Sequence, residues 1–116
     1  MIRLKRAYDP PSRSDGLRIL VDRLWPRGLS KQKARIDEWR GELAPSPALR
    51  KWYGHDPKKW PDFRRRYMGE LRDKTEELQE LAHRARAGTV TLVFATQNAE
   101  RSNAVVLKSV LERLNG

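Results

Sequence analysis

Thr89-Val90-Thr91-Leu92-Val93-Phe94 is a run of β-branched, apolar and aromatic residues, bounded by Gly88 on one side and by Thr96-Gln97-Asn98 on the other. Its composition and its flanking turn formers read as a strand, and the lack of polar alternation at its end suits a central one. The residues before it keep a different period. Phe63, Tyr67, Leu71, Leu78, Leu81, Ala82 and Ala85 recur at helical spacing, so a long helix is expected to open at Asp56-Pro57 and Trp60-Pro61. It should close at Gly88, with Arg84 and Arg86 in a last turn where the helix dipole favours cations. After the strand, Val106, Leu107, Val110, Leu111 and Leu114 predict a final amphipathic helix over 102–114.

Further upstream, Ile19-Leu20-Val21 predicts a second strand over 17–22, stopped by Pro26 and Gly28. Ile2, Leu4 and the ring of Tyr8 share one face of an extended segment and predict a strand over 2–8. The Pro-, Ser- and Asp-rich residues 9–16 read as a loop. Ser30 is placed to cap a short turn of helix over 31–34, and residues 36–39 form a further extended piece. Ser46-Pro47 starts a short helix that Gly54 ends. Two strands, then helices, then a strand after a long connection, is the order a parallel crossover requires. The expected fold is α/β: a small single-domain sandwich over residues 1–116, with a short, mostly parallel or mixed sheet flanked by helices. There is no internal repeat or low-complexity segment.

Composition narrows the function classes. Hydrophobic residues are 38% and charged residues 34% of 116, so apolar material is limited and the four tryptophans are expected to carry much of the burial. No apolar run approaches the roughly 18 residues of a membrane span, and Met1 to Arg6 lacks the apolar stretch of a signal peptide. A cytoplasmic protein without a membrane partner is expected. The absence of cysteine excludes disulfides, thiolate nucleophiles and cysteine metal sites. His55 and His83 lie far apart with no ligand-like spacing around them, so neither a metal nor a cofactor is expected. The net charge of +10 is unevenly placed: residues 1–66 hold 18 Lys and Arg against 8 Asp and Glu, and residues 67–116 hold 7 against 7. That asymmetry favours an anionic partner, although solubility alone accounts for many basic proteins.

Three segments carry candidate chemistry. The first is Asp22, Arg23, Trp25 and Arg27, set where the strand at 17–22 must turn. A guanidinium there can clasp two oxygens of a phosphate or carboxylate while a neighbouring acid steadies it. A salt-bridged turn packed on a core tryptophan explains the same residues equally well. A carboxylate on such an arginine-lined rim is expected to have a lowered pKa. The second is the loop Ala95 to Asn103, where Asn98 or Ser102 can cap the final helix and free amides attract anions. It lacks the glycines of a P-loop or dinucleotide fingerprint, and ordinary capping explains each residue singly. If the strands at 17–22 and 89–94 are parallel neighbours, both segments meet at one edge. The third is Leu49 to Pro57, where bases and aromatics interleave. Such a mixture can stack bases and neutralise phosphates, and His55 beside Asp56 can be a general base with its orienter, but a helix that buries Leu49 and Trp52, with His55 solvated, is the preferred account. Arg64-Arg65-Arg66 reads as solvated helix face.

Lys5-Arg6, Tyr8-Asp9-Pro10, Asp15-Gly16, Arg18 through Gly28, Asp37-Glu38-Trp39, Ala44-Pro45-Ser46, Leu49-Arg50, Phe63-Arg64, Tyr67 and Glu70-Leu71, taken in order, carry a family likeness. The chain resembles the YeaO-like branch of a bacterial and archaeal family of unknown function, over nearly its whole length. The resemblance implies a small α/β domain and a cytoplasmic bacterial or archaeal protein, without an established activity. One departure stands out. Relatives of this branch often read Asn-His-Ala at the start of the final helix, and the wider family Cys-His-Arg, where this chain reads Ser102-Asn103-Ala104. Asn hydrogen-bonds but does not shuttle a proton at neutral pH, so if that histidine is catalytic in relatives, the departure implies binding without turnover.

The functional expectation is a rim of Asp22, Arg23, Trp25, Arg27, Asn98 and Asn103 that binds a small anion, a phosphate-bearing metabolite or nucleotide. On this reading, removing Arg23 and Arg27 together abolishes binding. The proton-transfer candidates for an enzyme are Asp22, Asp15, Tyr8 and Glu100, none compelling, and pure binding is slightly preferred. The alternative is a nucleic-acid-binding or regulatory protein that uses the basic first 66 residues, with affinity falling steeply in salt. No recognition helix, zinc finger or RNP-like strand supports it. A protein-interaction module would show itself by an exposed tryptophan among Trp25, Trp39, Trp52 and Trp60.

Overall fold

The computed structural model describes residues 1–116. Four strands, β1 (Ile2–Arg6), β2 (Leu17–Leu20), β3 (Glu38–Trp39) and β4 (Val90–Phe94), form one all-parallel sheet in the order β1-β4-β2-β3. Five helices accompany them: α1 (Lys31–Ala34), α2 (Pro47–Tyr53), α3 (Trp60–Leu71), α4 (Thr75–Ala87) and α5 (Asn103–Asn115). The late strand β4 is the central one. All five of its residues are buried, and it pairs with β1 from Ile2↔Val90 and with β2 from Leu17↔Val90.

Strand alternation sorts the two faces of the sheet. Ile2 and Leu4 of β1, Ile19 of β2 with Val21 beyond it, and Val90, Leu92 and Phe94 of β4 point to one side. There they meet Tyr67 and Leu71 of α3, Leu78, Leu81 and Ala85 of α4, and Ala104, Leu107 and Leu111 of α5. On the other side Ala7, Leu20 and Val93 make a small cluster capped by Trp25, Leu29 and Ile36. Next to that cluster the second face is polar and still buried. Arg18 and Asp15 are 3% and 4% exposed, and Thr91 Oγ1 donates to the Asp15 carbonyl at 2.6 Å.

The caps read from sequence are made. Ser30 Oγ accepts from the Lys33 amide, Ser46 Oγ from Leu49 and Ser102 Oγ from Val105, while Gly54 ends α2 in the left-handed region. Three expectations are corrected. The helix expected to run unbroken to Gly88 is two helices, joined by a tight turn over Arg72–Lys74. Between Leu71 and Leu78 the apolar stripe has no member, and an unbroken helix over 60–87 would span about 42 Å at about 1.5 Å per residue, against a largest molecular extent of 36 Å. The break lets α3 and α4 each pack on α5. The first strand ends at Arg6, so Tyr8 is exposed, and its hydroxyl donates to the Arg27 carbonyl at 2.9 Å. No tryptophan belongs to the fully buried set, whose largest members are Tyr67 and Phe94. Each indole N–H needs an acceptor, and two find theirs at the margin: Trp25 Nε1 on the Leu29 carbonyl and Trp39 Nε1 on that of Asp22. Trp39 is the exposed one, at 49%. No helix is long and apolar enough to cross a membrane.

Candidate functional site

Because β2 and β4 are parallel neighbours, their C-terminal ends open at the same edge of the sheet, where open α/β folds bind ligands. Two bonds join the ends. Asp22 Oδ2 accepts from the Ala95 amide at 2.8 Å, and Asn103 Nδ2 donates to the Val21 carbonyl at 2.8 Å. The first and second candidate segments of the sequence therefore meet, and they meet through Asp22 and Asn103.

The third segment supplies the opposite wall. Ser46 starts α2 with help from Glu70, whose carboxylate accepts from both the amide and the hydroxyl of Ser46 at 2.8 and 2.6 Å. This fixes α2 on α3. The chain then passes through two consecutive left-handed residues, Gly54 at φ 54° and His55 at φ 58°. A histidine is uncommon there, and a backbone held in that region by its surroundings is often found at ligand sites. The turn brings His55 beside Tyr53, which stacks on Phe63 with ring centroids 4.3 Å apart.

The result is a cleft of about 250 Å³ lined by Asp22, Ala95, Thr96, Arg101, Ser102 and Asn103 of the strand-end segments and by Pro45, Arg50, Tyr53, His55 and Phe63 of the segments facing them. Burial orders this lining. Phe63, Tyr53 and Ser102 are buried, Asp22 and Asn103 half-buried, and Arg50, His55 and Arg101 exposed, so aromatic and carboxyl groups form the floor and cations the mouth. The ion pairs of the chain use Lys5, Arg18, Arg40, Arg65 and Arg84, which leaves the Arg50 and Arg101 guanidinium groups without a carboxylate partner. Ser102 and Asn103 begin α5, where first-turn amides lack intrahelical acceptors.

Burial holds the Asp22 carboxyl above the ordinary aspartate value, against the opposing pull of the Ala95 amide, the Arg50 charge and Asn103. This reverses the lowered pKa expected of a solvated arginine-lined rim: desolvation outweighs the neighbouring cation. Beneath the cleft, Tyr67 is fully buried with its hydroxyl donating to the Leu43 carbonyl, and burial pushes its ionisation far above the ordinary tyrosine value. It is a neutral hydrogen-bonding group at physiological pH.

The remaining candidates lie elsewhere. Arg23 turns its guanidinium to the Ala44 and Pro45 carbonyls at 3.3 and 3.4 Å. Trp25 meets Trp39 edge to face, with centroids 5.6 Å apart. Arg27 is exposed and is bonded only through its carbonyl, by Tyr8, and Asn98 is exposed ahead of the Ala99–Arg101 turn without capping it. The cations that line the cleft are Arg50 and Arg101. In the sequence, Arg50, Tyr53 and His55 belong to a candidate segment for which a packed helix is the preferred account, Arg101 lies in the loop Ala95 to Asn103 without being singled out, and Phe63 reads only as core. The one available signal was a basic-aromatic helix ending in Gly54-His55, and nothing local says which way such a helix packs.

A model of the family described as "Inactive DUF488-N3 subclade" matches residues 1–115. The chain belongs to this family. The chain is 42% identical to the uncharacterized protein YeaO of Escherichia coli over 113 residues, 97% of this chain and 98% of that one. It is 41% identical over 112 residues to the uncharacterized proteins Rv3073c of Mycobacterium tuberculosis and Mb3100c of Mycobacterium bovis, covering 95% of this chain and 92% of each. No solved structure is significantly similar to it.

The raised pKa of Asp22 makes a stability prediction for this member of the DUF488-N3 subclade. An acid with a raised folded pKa binds protons more readily in the folded state, so its contribution is most favourable at low pH and declines as pH rises through the carboxylate range. Asp22→Asn keeps an acceptor for the Ala95 amide and removes the buried charge. It is expected to melt above the wild type at pH 7, with the advantage vanishing near pH 3. Thermal melts across that range read it directly, and an unchanged or lower melting temperature at pH 7 contradicts it.

Proposed function

We propose that the cleft binds a small anion, a phosphate-bearing metabolite or nucleotide, and does so without turning it over. One observation carries the reading: Arg50 and Arg101, from two different elements, line one cleft and neither is within salt-bridge distance of a carboxylate. Guanidinium groups without internal partners bind phosphate or carboxylate oxygens in a charge-assisted, directional way. The start of α5 at Ser102 and Asn103 adds backbone donors to the same rim. Binding without turnover is supported by the word "inactive" in the description of the family. It is supported also by the side chains near the floor: Tyr67 does not ionise, and Asn103 is an amide engaged with Val21.

Titration calorimetry with inorganic phosphate and nucleoside monophosphates, at low and moderate salt, tests this. Arg50→Ala with Arg101→Ala is expected to weaken binding by about 100-fold, since two charge-assisted hydrogen bonds are lost. Arg23→Ala with Arg27→Ala, whose guanidinium groups lie outside the cleft, is the matched control and should bind as the wild type does. An unaffected Arg50/Arg101 double variant overturns the proposal. So does a protein that binds only oligonucleotides, with affinity vanishing in salt, which is the signature of counterion release from a nucleic-acid backbone.

A further inference from the structure

The lining of the cleft is not that of a plain anion hole. Its two exposed guanidinium groups are matched, deeper in, by a carboxylate. Asp22 Oδ2 is occupied by the Ala95 amide and Asn103 stands beside the carboxylate, while Oδ1 takes part in no hydrogen bond of good geometry within the chain and is not sealed from solvent. An acceptor of this kind at the floor repels a phosphate placed directly on it, and it binds strongly any N–H or O–H that a ligand brings. Between floor and mouth stands an apolar wall of Pro45, Tyr53 and Phe63, stiffened by the Tyr53–Phe63 stack and by Trp60, whose ring centroid is 5.6 Å from that of Phe63. A cleft of about 250 Å³ lies below the roughly 300–1,000 Å³ of pockets that take drug-sized ligands, and suits a small metabolite.

We infer that the ligand is bipartite: a phosphate at the mouth between Arg50 and Arg101, and a hydroxyl or amine donor at the floor on Asp22 Oδ1, joined by a short carbon body lying on Tyr53 and Phe63. This rests on the anion-binding reading above and specifies its substrate class. Asp22 and Arg50 then act as a polarity pair. The carboxylate sets the orientation by rejecting the phosphate end, and the guanidinium groups set it by attracting that end, so a ligand carrying both groups enters one way round. Inorganic phosphate satisfies only half of the site.

Three small probes separate the parts: ethyl phosphate, which lacks a donor, glycerol 3-phosphate, which brings hydroxyls, and phosphoethanolamine, which brings an ammonium. At neutral pH the wild type is expected to bind at least one of the donor-bearing probes about tenfold or more tighter than ethyl phosphate, because one hydrogen bond to a charged acceptor is added. Whichever of the two is preferred names the donor. Asp22→Ala should erase the preference and leave ethyl phosphate bound at least as well as before. Should Asp22→Ala fold poorly for want of an acceptor for Ala95, Asp22→Asn serves, and the ammonium advantage is the one it must abolish. Equal affinity of all three probes for the wild type, with the Arg50/Arg101 dependence intact, overturns the bipartite ligand and leaves anion binding standing. Failure of every phosphate compound to bind overturns both.

Discussion

Asp15→Ala is expected to lose about 3–5 kcal/mol of folding stability, the usual consequence of removing one member of a buried ion pair. The magnitude follows from what is left behind. Arg18 is as buried as Asp15, and its Nη1 donates to Asp15 Oδ2 at 2.7 Å, while Nε and Nη2 donate to the Ala34 carbonyl at 3.1 and 2.8 Å. Without Asp15 the two carbonyl bonds remain, but the positive charge is stranded beneath α1. Lys5 Nζ, 3.1 Å from both carboxylate oxygens, loses the same counter-charge, and the Ser12 amide loses its acceptor. Burial alone would raise the pKa of Asp15. The Ser12 amide, Lys5 and Arg18 together outweigh it and hold the value below the ordinary one. An acid with a lowered folded pKa contributes stability that is present above its unfolded value, near 3.8, and lost as pH falls through the folded one. The wild type should therefore weaken towards pH 2 more steeply than Asp15→Ala does. Urea unfolding at pH 7 and pH 3 measures both effects, and a loss under 1 kcal/mol at neutral pH would show that the pair is not stabilising in this sense.

Gly16→Ala is expected to be nearly as severe, at about 3 kcal/mol or more. Gly16 has φ 62° and ψ −131°, a combination that a side chain resists, and a Cβ there would stand 2.3 Å from the Thr89 carbonyl oxygen. Relief by a rotamer change is closed off because the obstructing atom is backbone. That same oxygen accepts from the Leu17 amide at 3.0 Å, and the next residues begin the pairing of β2 with β4. Pushing Gly16 away from Thr89 therefore opens the two central strands from their first rung. Gly54→Ala is the natural comparison, since Gly54 has a similar φ of 54° but nothing nearer to its Cβ position than the Lys51 carbonyl at 3.7 Å. It should lose only about 1 kcal/mol, the price of a left-handed alanine. Denaturation midpoints of the two variants separate backbone preference from collision.

The elements of the fold were legible wherever a short stretch of chain decides its own conformation. Ser46-Pro47 and Gly54 bound a helix through caps that each use only local groups, and Thr89 to Phe94 announces a strand by composition. The parallel order followed from the long connection before that strand. The break at Arg72–Lys74 was hard to read, because Leu71 and Leu78 stay two turns apart in phase across the one missing stripe member, and the limit comes from the size of the body onto which both halves must pack. Two of the tryptophans misled for a related reason: their area argues for burial, but the N–H groups of Trp25 and Trp39 hold them at the margin where backbone acceptors are open. In the candidate site, Asp22 and Asn103 could be brought together by strand order alone. Arg50, Tyr53 and His55 depend on how α2 is anchored by Glu70, a contact 24 residues away in the chain, and no local pattern encodes it. Arg23 shows the converse. Its neighbourhood to Asp22 in sequence suggested a shared task, yet successive residues diverge at a strand end, and its guanidinium serves the Ala44 and Pro45 carbonyls instead.

The central place of β4 governs how the molecule is born on the ribosome. β1 and β2 are not neighbours; each touches the other only through β4, which is made after them and after α1 to α4. A nascent chain that has emerged only as far as α4 owns two strands with nothing between them, and the Asp15–Arg18 pair then has no Thr91 hydroxyl on the Asp15 carbonyl to hold it against the sheet. Because sheet pairing across long loops forms late and slowly, the roughly three-quarters of the chain that precedes β4 yields helices on an unclosed frame. The segment that follows α4 both fills the slot between the strands and, through Asn103, finishes the rim of the cleft. Closure of the sheet and completion of the cleft lining thus depend on one stretch of chain, from β4 to Asn103.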